Sequence, residues 1–286
     1  WRALSCKALA AVLICPKNCH LLGSLMSYNE RGELPFCFPT CDIADIELDR
    51  THVLGFGAGG IVYRGKYQGL QVAVKKLSSD SISFQWKEFL REVAVMFLLD
   101  DPLVCKCVVA STDKHDPFIA MPLYSLGSLS NLLGQDVDDE RRLHLVLSAA
   151  QSCKLLHDFH IIHRDIKPEN FLLTSSTSVV VTDMGSMRCR QSELKYTKAV
   201  GTPMYMAPEV YLGEDYTEKS DVYSFGMLML AILHGRLPGS ADPSGEIDIS
   251  FISGMYQTDA PAVKYPDSDH PCKPLVDACL STTPQA

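Results

Sequence analysis

The rest of this chain is organised around one stretch, His163-Arg164-Asp165-Ile166-Lys167-Pro168-Glu169-Asn170. Within it an aspartate is followed by a lysine two residues later and by an asparagine five residues later, and apolar runs lie on both sides. Transfer of a phosphoryl group to a hydroxyl needs a carboxylate that accepts the hydroxyl proton, a cation that offsets the phosphate charge and an oxygen ligand for Mg²⁺. The spacing therefore favours phosphoryl transfer over the simpler interpretation of a charged surface turn that contains a proline.

Further motifs lie in a fixed order before and after this stretch. Gly55-x-Gly57-x-x-Gly60-x-Val62 and Val72-Ala73-Val74-Lys75 precede it, and Asp183-Met184-Gly185 follows it. The chain continues with Gly201-Thr202-Pro203, Ala207-Pro208-Glu209 and Ser220-Asp221-Val222-Tyr223-Ser224-Phe225-Gly226. This ordered series resembles the eukaryotic protein kinases over the positions from about Gly55 to Asp221.

Smaller features resemble one branch of that family. Val62-Tyr63-Arg64, Tyr67-Gln68-Gly69 and Gly127-Ser128-Leu129 are similar to the tyrosine-kinase-like branch, and within it to the Roco-type leucine-rich-repeat kinases. The resemblance implies covalently linked GTPase and repeat domains outside this chain. Because the chain begins with Trp1 rather than a methionine, we expect it to be a piece of a longer protein.

The resemblance also implies a fold and its limits. With 286 residues, of which 47% are apolar and 21% charged, the chain can hold one large two-lobed domain. We expect an α+β bilobal protein kinase fold, with an antiparallel β-rich N-lobe containing one main helix (about 48–121), a hinge (122–125) and a mainly α C-lobe (126–286). Residues 1–47 are expected to be a linker or the tail of an upstream domain. The C-terminal helices are expected to be truncated, because the chain stops before the arginine that the family pairs with Glu209.

Composition argues against several classes of partner. The formal net charge of −8 gives no general attraction to nucleic acid or to anionic lipid. The apolar run Ala8–Cys15 is too short to span a bilayer, so we expect no membrane insertion. Eleven scattered cysteines, an odd number, fit reduced thiols better than a disulfide framework, and we expect a cytoplasmic protein.

The N-terminal cysteines leave a second interpretation open. Cys15-x₃-Cys19-His20 and Cys37-x₃-Cys41 together offer soft ligands for Zn²⁺, although the gaps are longer than the usual two residues. The alternative is a set of unpaired thiols in a linker that packs on the N-lobe.

The glycine-rich motif is interpreted from the pattern that follows it. A lone GxGxxG also opens dinucleotide-binding folds, but there a helix follows. Here the pattern predicts a strand through Ile61–Arg64, a turn at Gln68-Gly69 and a second strand over Gln71–Lys76. This context favours a lid of backbone N–H groups over the phosphates of ATP, with glycines that let the backbone approach closely.

The resemblance assigns the lysine of the second strand to the phosphates. Lys75 is expected to bind the α- and β-phosphates of ATP. Its expected partner is Glu92, on a helix predicted over Gln85–Leu99, with Glu88 as the alternative if the helix is rotated.

The resemblance also implies an adenine pocket. Met121 would close its back, and the hinge would offer the Pro122 carbonyl and the Tyr124 amide to adenine. The full set implied for ATP is Leu54, Gly55, Gly57, Gly60, Val62, Ala73, Lys75, Met121, Pro122, Tyr124 and Leu172.

Apolar patterns predict further elements around these motifs. Two strands are predicted over Val104–Val109 and Phe118–Met121, and a long buried helix over Leu143–Phe159. The apolar positions of that helix are Leu143, Val146, Leu147, Ala150, Cys153 and Leu156. His163 is expected to pack in the apolar layer beneath the site.

By resemblance and by charge, the catalytic roles are assigned residue by residue. Asp165 would orient the substrate hydroxyl and accept its proton, and Lys167 would stabilise the transferred phosphoryl group. Asn170 and Asp183 would hold Mg²⁺, which prefers hard oxygen ligands. We expect Lys75 and Asp183 to meet Asp165 around one magnesium-nucleotide.

The substrate class follows from two features. Lys167 and the Gly201-Thr202 pair resemble Ser/Thr kinases, and Thr202 is expected to bond to Asp165 or Lys167. The alternatives are a dual-specificity kinase, or a pseudokinase or nucleotide-binding scaffold that signals by conformation. A small-molecule kinase lacks support, because Gly201–Glu209 resembles a peptide-positioning segment.

Regulation and two departures from the family pattern complete the expectations. Arg164 is expected to pair with a phosphorylated residue of the following segment, with Thr197 as the expected phosphorylation site and Ser192 left open.

Met184 stands where phenylalanine is usual and would fill the same apolar position less rigidly. Tyr223 stands where tryptophan is commoner.

Overall fold

The computed structural model of the protein describes residues 38–57, 60–77, 86–111, 113–189, 201–237 and 269–281. These residues form two compact units. The first comprises the described residues up to Ser125 together with Thr182–Gly185, and the second comprises Leu126–Val181 and the described residues from Ser186 onward. Strands dominate the first unit and helices the second, which confirms the predicted α+β class.

A six-stranded sheet makes up most of the first unit, accompanied by the helix α1 (Trp86–Leu98). The strands are β1 (Thr40–Cys41), β2 (Glu47–Gly57), β3 (Gly60–Tyr67), β4 (Leu70–Lys76), β5 (Val109–Ser111) and β6 (Phe118–Pro122). They lie in the order β1-β5-β6-β4-β3-β2. Neighbouring strands are antiparallel except β1, which pairs parallel with β5.

The β3–β4 hairpin turns at Gln68 and Gly69, as predicted. Their φ angles are 48° and 85°, the left-handed conformation that a tight two-residue hairpin turn requires. Gly60 begins β3 with φ 127°, and a Cβ there would lie 2.0 Å from the Lys76 carbonyl oxygen. A strand thus follows the glycine-rich motif, and the next strand carries Lys75, which confirms the interpretation against a dinucleotide fold.

The predicted element limits hold for α1 but not for β5. α1 lies within its predicted range, whereas β5 begins at Val109 and the apolar run predicted a strand over Val104–Val109. Cys107, inside that run, is buried, and it donates its N–H to the Met96 carbonyl of α1 at 3.3 Å. The prediction was wrong because an apolar run signals burial, which irregular backbone packed on a helix also provides.

Residues 38–47, which the sequence patterns placed before the kinase domain, take part in the sheet. β1 adds an edge strand to β5, and the Ala110 N–H donates to the Pro39 carbonyl at 3.1 Å. Ile46 is 5% exposed and belongs to the core of the first unit. The cluster around it comprises Ile46, Val72, Val74, Val109, Phe118 and Ala120. This core therefore includes a residue that precedes position 48.

We expect Ile46→Ala to lower the free energy of unfolding of the first unit by about 2–3 kcal/mol, because it deletes buried methyl groups and leaves a cavity. Leu70→Ala is the matched control, since Leu70 is 60% exposed at the β3–β4 turn, and it should change the same quantity by less than about 0.5 kcal/mol. Denaturant unfolding followed by circular dichroism measures both variants. If Ile46→Ala has the same free energy of unfolding as the wild-type chain, Ile46 contributes nothing to the stability of this core.

The second unit contains two long helices and several short elements. They are α2 (Asp139–Asp158), β7 (Ile161–Ile162), β8 (Phe171–Leu173), β9 (Val179–Val181), β10 (Arg188–Cys189), α3 (Pro208–Tyr211), α4 (Glu218–His234) and α5 (Lys273–Cys279). β8 pairs antiparallel with β9, and β7 with β10. Among the helices of the described ranges, none is long and apolar enough to cross a membrane.

α2 buries part of the predicted apolar set, since Val146, Cys153 and Leu156 are buried as predicted. Leu143 and Leu147 are 43% and 56% exposed, although the apolar pattern placed both in the core. Ser148 and Ser152 are buried instead: the Ser148 hydroxyl accepts the Val179 N–H at 3.0 Å, and the Ser152 hydroxyl donates to the Ser148 carbonyl at 3.2 Å. The buried positions are Leu145, Val146, Ser148, Ala149, Ser152, Cys153 and Leu156. The prediction was wrong for Leu143 and Leu147 because an apolar pattern does not show which faces of a helix its neighbours cover.

Arg142 of α2 joins that helix to the end of α4. Its guanidinium donates to the carbonyls of Ile232 at 2.5 Å, Val137 at 2.9 Å and Gln135 at 3.2 Å. Gly235 ends α4 in the left-handed conformation, with φ 66°, and a Cβ there would lie 2.7 Å from the guanidinium. The Arg142 side chain thus joins the start of α2 to the end of α4. The other ends of these two helices lie next to the stretch His163–Asn170.

Candidate active site

An ion-pair cluster forms around Lys75 in the first unit. The Lys75 ammonium donates to Asp183 Oδ1 at 2.6 Å and to Glu92 Oε1 at 3.0 Å. Lys75 and Glu92 are 7% and 3% exposed, whereas the Asp183 side chain keeps 39% of its surface exposed. Glu92 is therefore the helix glutamate that pairs with Lys75.

The two carboxylates keep Lys75 charged. Burial by itself lowers the pKa of Lys75, but the charges of Asp183 and Glu92 outweigh it and raise the pKa above its ordinary value. Asp183 itself has φ 60°, a left-handed conformation that is uncommon for residues other than glycine and that concentrates at functional positions. Lys75 thus carries its positive charge at neutral pH, as phosphate binding requires.

Five residues of the predicted nucleotide site share one face of the sheet. Lys75 lies opposite Val62 in the β3–β4 ladder, and Ala73 lies opposite Met121 in the β4–β6 ladder. Opposed residues point to the same face, and positions 73 and 75 are two residues apart on one strand. Gly55 pairs with Val62 and lies on the same face. Apolar side chains thus lie on the same side of the sheet as the charged lysine.

The remaining nucleotide-site residues lie at element ends. Leu54 in β2 is 48% exposed, and Gly57 is the last residue of that strand. Pro122 ends β6, and both it and Tyr124 are half-buried. Leu172 belongs to the second unit, where it is half-buried in β8.

The residue before Asp183 is tied to β6. The Thr182 hydroxyl donates to Met121 Sδ at 3.9 Å, and the buried Cys105 thiol donates to the Lys106 carbonyl at 4.0 Å. Burial raises the pKa of Cys105 to about 12, so the thiol stays neutral. No motif of the sequence predicted these contacts.

In the second unit, two charged side chains of the octapeptide, Asp165 and Lys167, share one hydroxyl partner. Lys167 Nζ lies 2.7 Å from Asp165 Oδ2 and donates to the Thr202 hydroxyl at 2.8 Å. That hydroxyl in turn donates to Asp165 Oδ1 at 3.0 Å. The prediction that Thr202 bonds to Asp165 or Lys167 is confirmed for both.

Asn170 completes this group. Its amide nitrogen donates to the Asp165 carbonyl at 2.7 Å and to Asp165 Oδ2 at 3.1 Å. Because both N–H groups face Asp165, the side-chain oxygen is the atom left to bind a cation. Asn170 is 5% exposed and ends a short 3-10 turn, Pro168–Asn170, that begins with a proline at a favoured position.

Asp221, in the first turn of α4, holds the backbone of the octapeptide. Its carboxylate is 1% exposed and accepts the N–H groups of His163 at 2.8 Å and Arg164 at 2.9 Å. His157, in the last turn of α2, lies 2.9 Å from the same carboxylate through Nε2. Sequence reasoning used Asp221 only as a motif position and gave no role to His157, whose one signal is its place six residues before His163.

The other two residues at the start of the octapeptide are buried. His163 is 0% exposed, which confirms its expected packing, and its Nδ1 accepts the Asp165 N–H at 3.3 Å. Arg164 is 6% exposed, and its guanidinium carbon lies 4.4 Å from the centre of the Tyr216 ring, a cation–π contact.

The two departures from the family pattern are accommodated in buried positions. Met184 is 1% exposed and fills the apolar position predicted for it. Burial, with a contribution from Glu209, raises the pKa of Tyr223 to about 12. Glu209 accepts a hydrogen bond from the Ser220 hydroxyl of α4 at 2.9 Å.

Some predictions fall outside the described residues. Thr197 and Ser192 lie there, and so do the zinc candidates from Cys15 to Cys37. Cys41 is described and is a half-buried free thiol. Within the described ranges, no group of three or more His, Cys, Asp or Glu side chains is suited to hold a metal.

The structure thus brings the predicted site residues together in two groups. Lys75, Glu92 and Asp183 form one in the first unit, while Asp165, Lys167 and Asn170 form the other in the second unit. An ammonium paired with two carboxylates, and a carboxylate beside a lysine and an amide, are the parts that phosphoryl transfer uses.

Comparison with known families agrees with this chemistry. A family model described as "Protein kinase domain" matches residues 48–286. The chain therefore belongs to the protein kinase family, whose members use ATP and Mg²⁺ as standard cofactors. The residues present fit both: Asp183 and Asn170 supply hard oxygen atoms, and the charged Lys75 suits a phosphate.

Curated relatives are similar to most of the chain but are much longer. A probable serine/threonine-protein kinase of Dictyostelium discoideum is 39% identical over 231 residues, which is 78% of this chain and 17% of that protein. A second one from the same organism is 32% identical over 247 residues, 85% of this chain and 17% of that protein. The dual specificity protein kinase shkD, also of Dictyostelium discoideum, is 34% identical over 253 residues, 85% of this chain and 33% of that protein.

We expect Thr202→Val to lower the kcat of phosphate transfer about tenfold, because it removes the hydroxyl that bridges Asp165 and Lys167 while keeping the side-chain shape. Thr202→Ser keeps the hydroxyl and should stay within about threefold of the wild-type protein. Steady-state assays with a peptide substrate measure both. A valine variant as fast as the serine variant would show that the bridge has no part in the reaction.

Proposed function

We propose that this chain transfers the γ-phosphate of ATP to serine and threonine hydroxyls of proteins. The observation that carries the proposal is the Asp165 carboxylate, which lies 2.7 Å from the Lys167 ammonium and 3.0 Å from the Thr202 hydroxyl. A carboxylate in this setting accepts the proton of a small hydroxyl beside a cation that offsets phosphoryl charge. Two of the relatives above are named serine/threonine-protein kinases, which supports the same activity.

In this proposal the second unit handles the acceptor. Asp165 orients the substrate hydroxyl and takes its proton as the new oxygen–phosphorus bond forms and the bond between the γ-phosphorus of ATP and its bridging oxygen breaks, which releases ADP. Lys167 stabilises the negative charge of the group in transfer. Thr202 fixes the positions of both side chains and narrows the site for a short hydroxyl residue.

The first unit is proposed to bind the nucleotide. Lys75, held by Glu92, binds the α- and β-phosphates. Asp183 and Asn170 hold Mg²⁺, which when bound neutralises charge on the phosphates. The proposed contacts of the rest of ATP are Leu54, Gly55, Gly57, Gly60, Val62, Ala73, Met121, Pro122, Tyr124 and Leu172.

Two alternatives to a serine/threonine kinase remain to be tested. A dual-specificity kinase is one, because one relative is named so. A nucleotide-binding pseudokinase is the other, and it is disfavoured because Lys75, Asp165 and Asp183 are all present, each with a charged partner.

The test is phosphate transfer from γ-labelled ATP, with Mg²⁺, to a general protein substrate, followed by phosphoamino-acid analysis. We expect labelled phosphoserine and phosphothreonine from the wild-type chain and none from Asp165→Asn. Mostly phosphotyrosine would overturn the Ser/Thr assignment. If wild type and variant both bind ATP and neither transfers phosphate, the pseudokinase alternative holds.

We also propose a finer placement. The motif details support the tyrosine-kinase-like branch and a Roco-type relative, with GTPase and repeat domains outside this chain. A cytoplasmic location is proposed because free thiols suit a reducing compartment. The free cysteines of the described residues are Cys41, Cys105, Cys107, Cys153, Cys272 and Cys279. Determining the sequence that flanks residues 1 and 286 in the source organism tests the domain arrangement.

A further inference from the structure

We propose that residues 38–46, here called the N-terminal strap, regulate nucleotide binding by docking on the sheet of the first unit. The proposal rests on the nucleotide-binding role proposed above for that unit. The strap lies before position 48, where the match to the protein kinase family begins. It contains β1, a 3-10 turn (Ile43–Asp45) and Ile46. Residues 1–37 lead directly into the strap, so a ligand or domain that acts on that part of the chain reaches the sheet through it.

The strap and the proposed nucleotide contacts lie on opposite faces of β4. Ile46 belongs to one apolar cluster with Val72 and Val74 of this strand. Because side chains alternate along a strand, Ala73 and Lys75 point to the other face. A change in strap docking therefore acts on the strand whose opposite face carries the Lys75 ammonium.

The strap contacts the sheet closely at one point. A Cβ added to Gly65 of β3 would lie 3.2 Å from Ile46 Cγ2 and 3.2 Å from Val74 Cγ2. The Ile46 and Val74 side chains therefore meet over Gly65, and Lys75 is the residue after Val74. Protein interiors are close-packed, so release of Ile46 leaves a gap beside Val74 and loosens the strand there. A site that is correctly formed for only a fraction of the time binds its ligand more weakly by that fraction.

Among the described residues, few contacts attach the strap to the sheet. Ile46 is the one buried side chain in the range 38–46, and β1 pairs with β5 over two residues. The Ala110 N–H of β5 also donates to the Pro39 carbonyl at 3.1 Å. An element with so little burial and pairing opens locally, at a free energy below that of global unfolding. Docking of the strap is therefore an equilibrium, which a ligand shifts if it prefers the docked form.

A capped turn sets the shape of the strap. The Asp42 carboxylate accepts the Ala44 N–H at 2.9 Å, and the Asp45 carboxylate accepts the Asp42 N–H at 3.0 Å. The Ile46 N–H donates to the Ile43 carbonyl at 3.1 Å. These bonds direct Ile46 to the sheet, and none of these residues belongs to the proposed nucleotide site. Removing the cap therefore loosens the strap and leaves the site residues unchanged.

Two strap variants and two matched controls test the proposal. Asp42→Ala combined with Asp45→Ala removes the cap, and Ile46→Asn places an unpaired amide in the apolar cluster, which expels the strap. Asp138→Ala is the control for the cap, because it removes the N-cap of α2 in the second unit. Leu70→Asn is the control for the apolar substitution, because Leu70 is 60% exposed at the start of β4.

The ligand in the test is a non-hydrolysable ATP analogue with Mg²⁺. Its Kd is measured by calorimetry, and hydrogen–deuterium exchange is followed in residues 40–46 and 108–111, with residues 227–232 of α4 as the reference. In the wild-type chain and in the cap variant, we expect saturating analogue to slow exchange in residues 40–46 and 108–111 about fivefold, because coupling between two sites is reciprocal. Exchange in residues 227–232 should change by less than about twofold.

The variants should differ in the absence and presence of the ligand. Without analogue, the cap variant should exchange about fivefold faster than wild type in residues 40–46, with residues 227–232 unchanged. Ile46→Asn should raise the Kd of the analogue about fivefold, while Leu70→Asn and Asp138→Ala stay within about twofold of wild type. If Ile46→Asn does not fold, the effect of the analogue on exchange in the cap variant carries the test.

Exchange in residues 40–46 that does not respond to bound analogue would overturn the proposal. So would an Ile46→Asn chain that folds and binds the analogue as tightly as Leu70→Asn, and so would equal slowing in residues 227–232. Neither measurement needs phosphate transfer. A chain that binds the analogue but phosphorylates no protein would refute the proposed kinase function and leave the result for the strap standing.

Discussion

Asp165→Asn should lower the kcat of phosphate transfer about 10³-fold. An amide cannot accept the hydroxyl proton, whereas the carboxylate can. The substitution keeps the size of the side chain and can keep hydrogen bonds to Lys167 and Thr202, so the chain should fold. The measurement is initial rate with labelled ATP, together with nucleotide affinity, which should change by less than about threefold because the phosphate-binding lysine is untouched.

Asp158→Asn is the matched control for this substitution. Asp158 lies at the end of α2 in an exposed ion pair with Lys154, and its loss should leave kcat unchanged. A thermal melt of each variant separates loss of folding from loss of chemistry. A kcat for Asp165→Asn within about tenfold of wild type would remove Asp165 from the proton-accepting role.

Lys75→Met should lower the free energy of unfolding of the first unit by about 3–5 kcal/mol and abolish measurable phosphate transfer. The buried Glu92 carboxylate, 3% exposed, would lose the ammonium 3.0 Å away and keep an uncompensated charge. Lys154→Met is the matched control, because its ion pair is exposed and should be worth less than about 1 kcal/mol. Denaturant unfolding measures both.

The double variant Lys75→Met with Glu92→Leu separates the effect on stability from the effect on catalysis. It removes the uncompensated Glu92 carboxylate, so it should recover at least about half of the stability that Lys75→Met loses. Phosphate transfer should stay absent. If Lys75→Met alone is as stable as the wild-type chain, the Lys75–Glu92 pair contributes nothing to the stability of the fold. Recovery of transfer in the double variant would contradict the role of Lys75 at the phosphates.

The Lys75–Glu92 ion pair should make the free energy of unfolding depend on pH only at alkaline pH. The pKa of Lys75 is raised in the folded chain, so its contribution to stability is fully present below the ordinary lysine pKa of about 10.4 and is lost only as the pH rises through the folded-state value. We expect the stability difference between wild type and Lys75→Met to stay constant from pH 7 to about pH 10. A difference that shrinks within that range would contradict the raised pKa.

Several parts of the site could be predicted because short patterns carry them. The Lys75–Glu92 pair is what the family resemblance implies for the lysine of Val72-Ala73-Val74-Lys75 and a glutamate on the next helix. The contact of Thr202 with Asp165 and Lys167 follows from motif order. The β3–β4 hairpin follows from the turn residues Gln68 and Gly69. In each case the residues needed lie within one motif, or in two motifs whose relation the family resemblance supplies.

Other parts could not be predicted because they depend on packing. The apolar run from Val104 did not extend as a strand, and α2 turned Leu143 and Leu147 toward solvent. Ile46 lies before the family match but inside the core, immediately before β2 begins, and β1 adds one more strand beside β5. Periodicity detects which residues are apolar, whereas the neighbours of an element decide which of its faces is buried.

Sequence alone determined the family and the residue types that phosphoryl transfer requires, since these are encoded locally in motif spacing and turn chemistry. Tertiary structure alone decided how the catalytic stretch is held. The Asp221 carboxylate lies 57 positions from Arg164 and 64 from His157 along the chain, and only folding brings them within hydrogen-bond distance. A buried carboxylate has to find its donors wherever packing places them, and no local pattern records where that is.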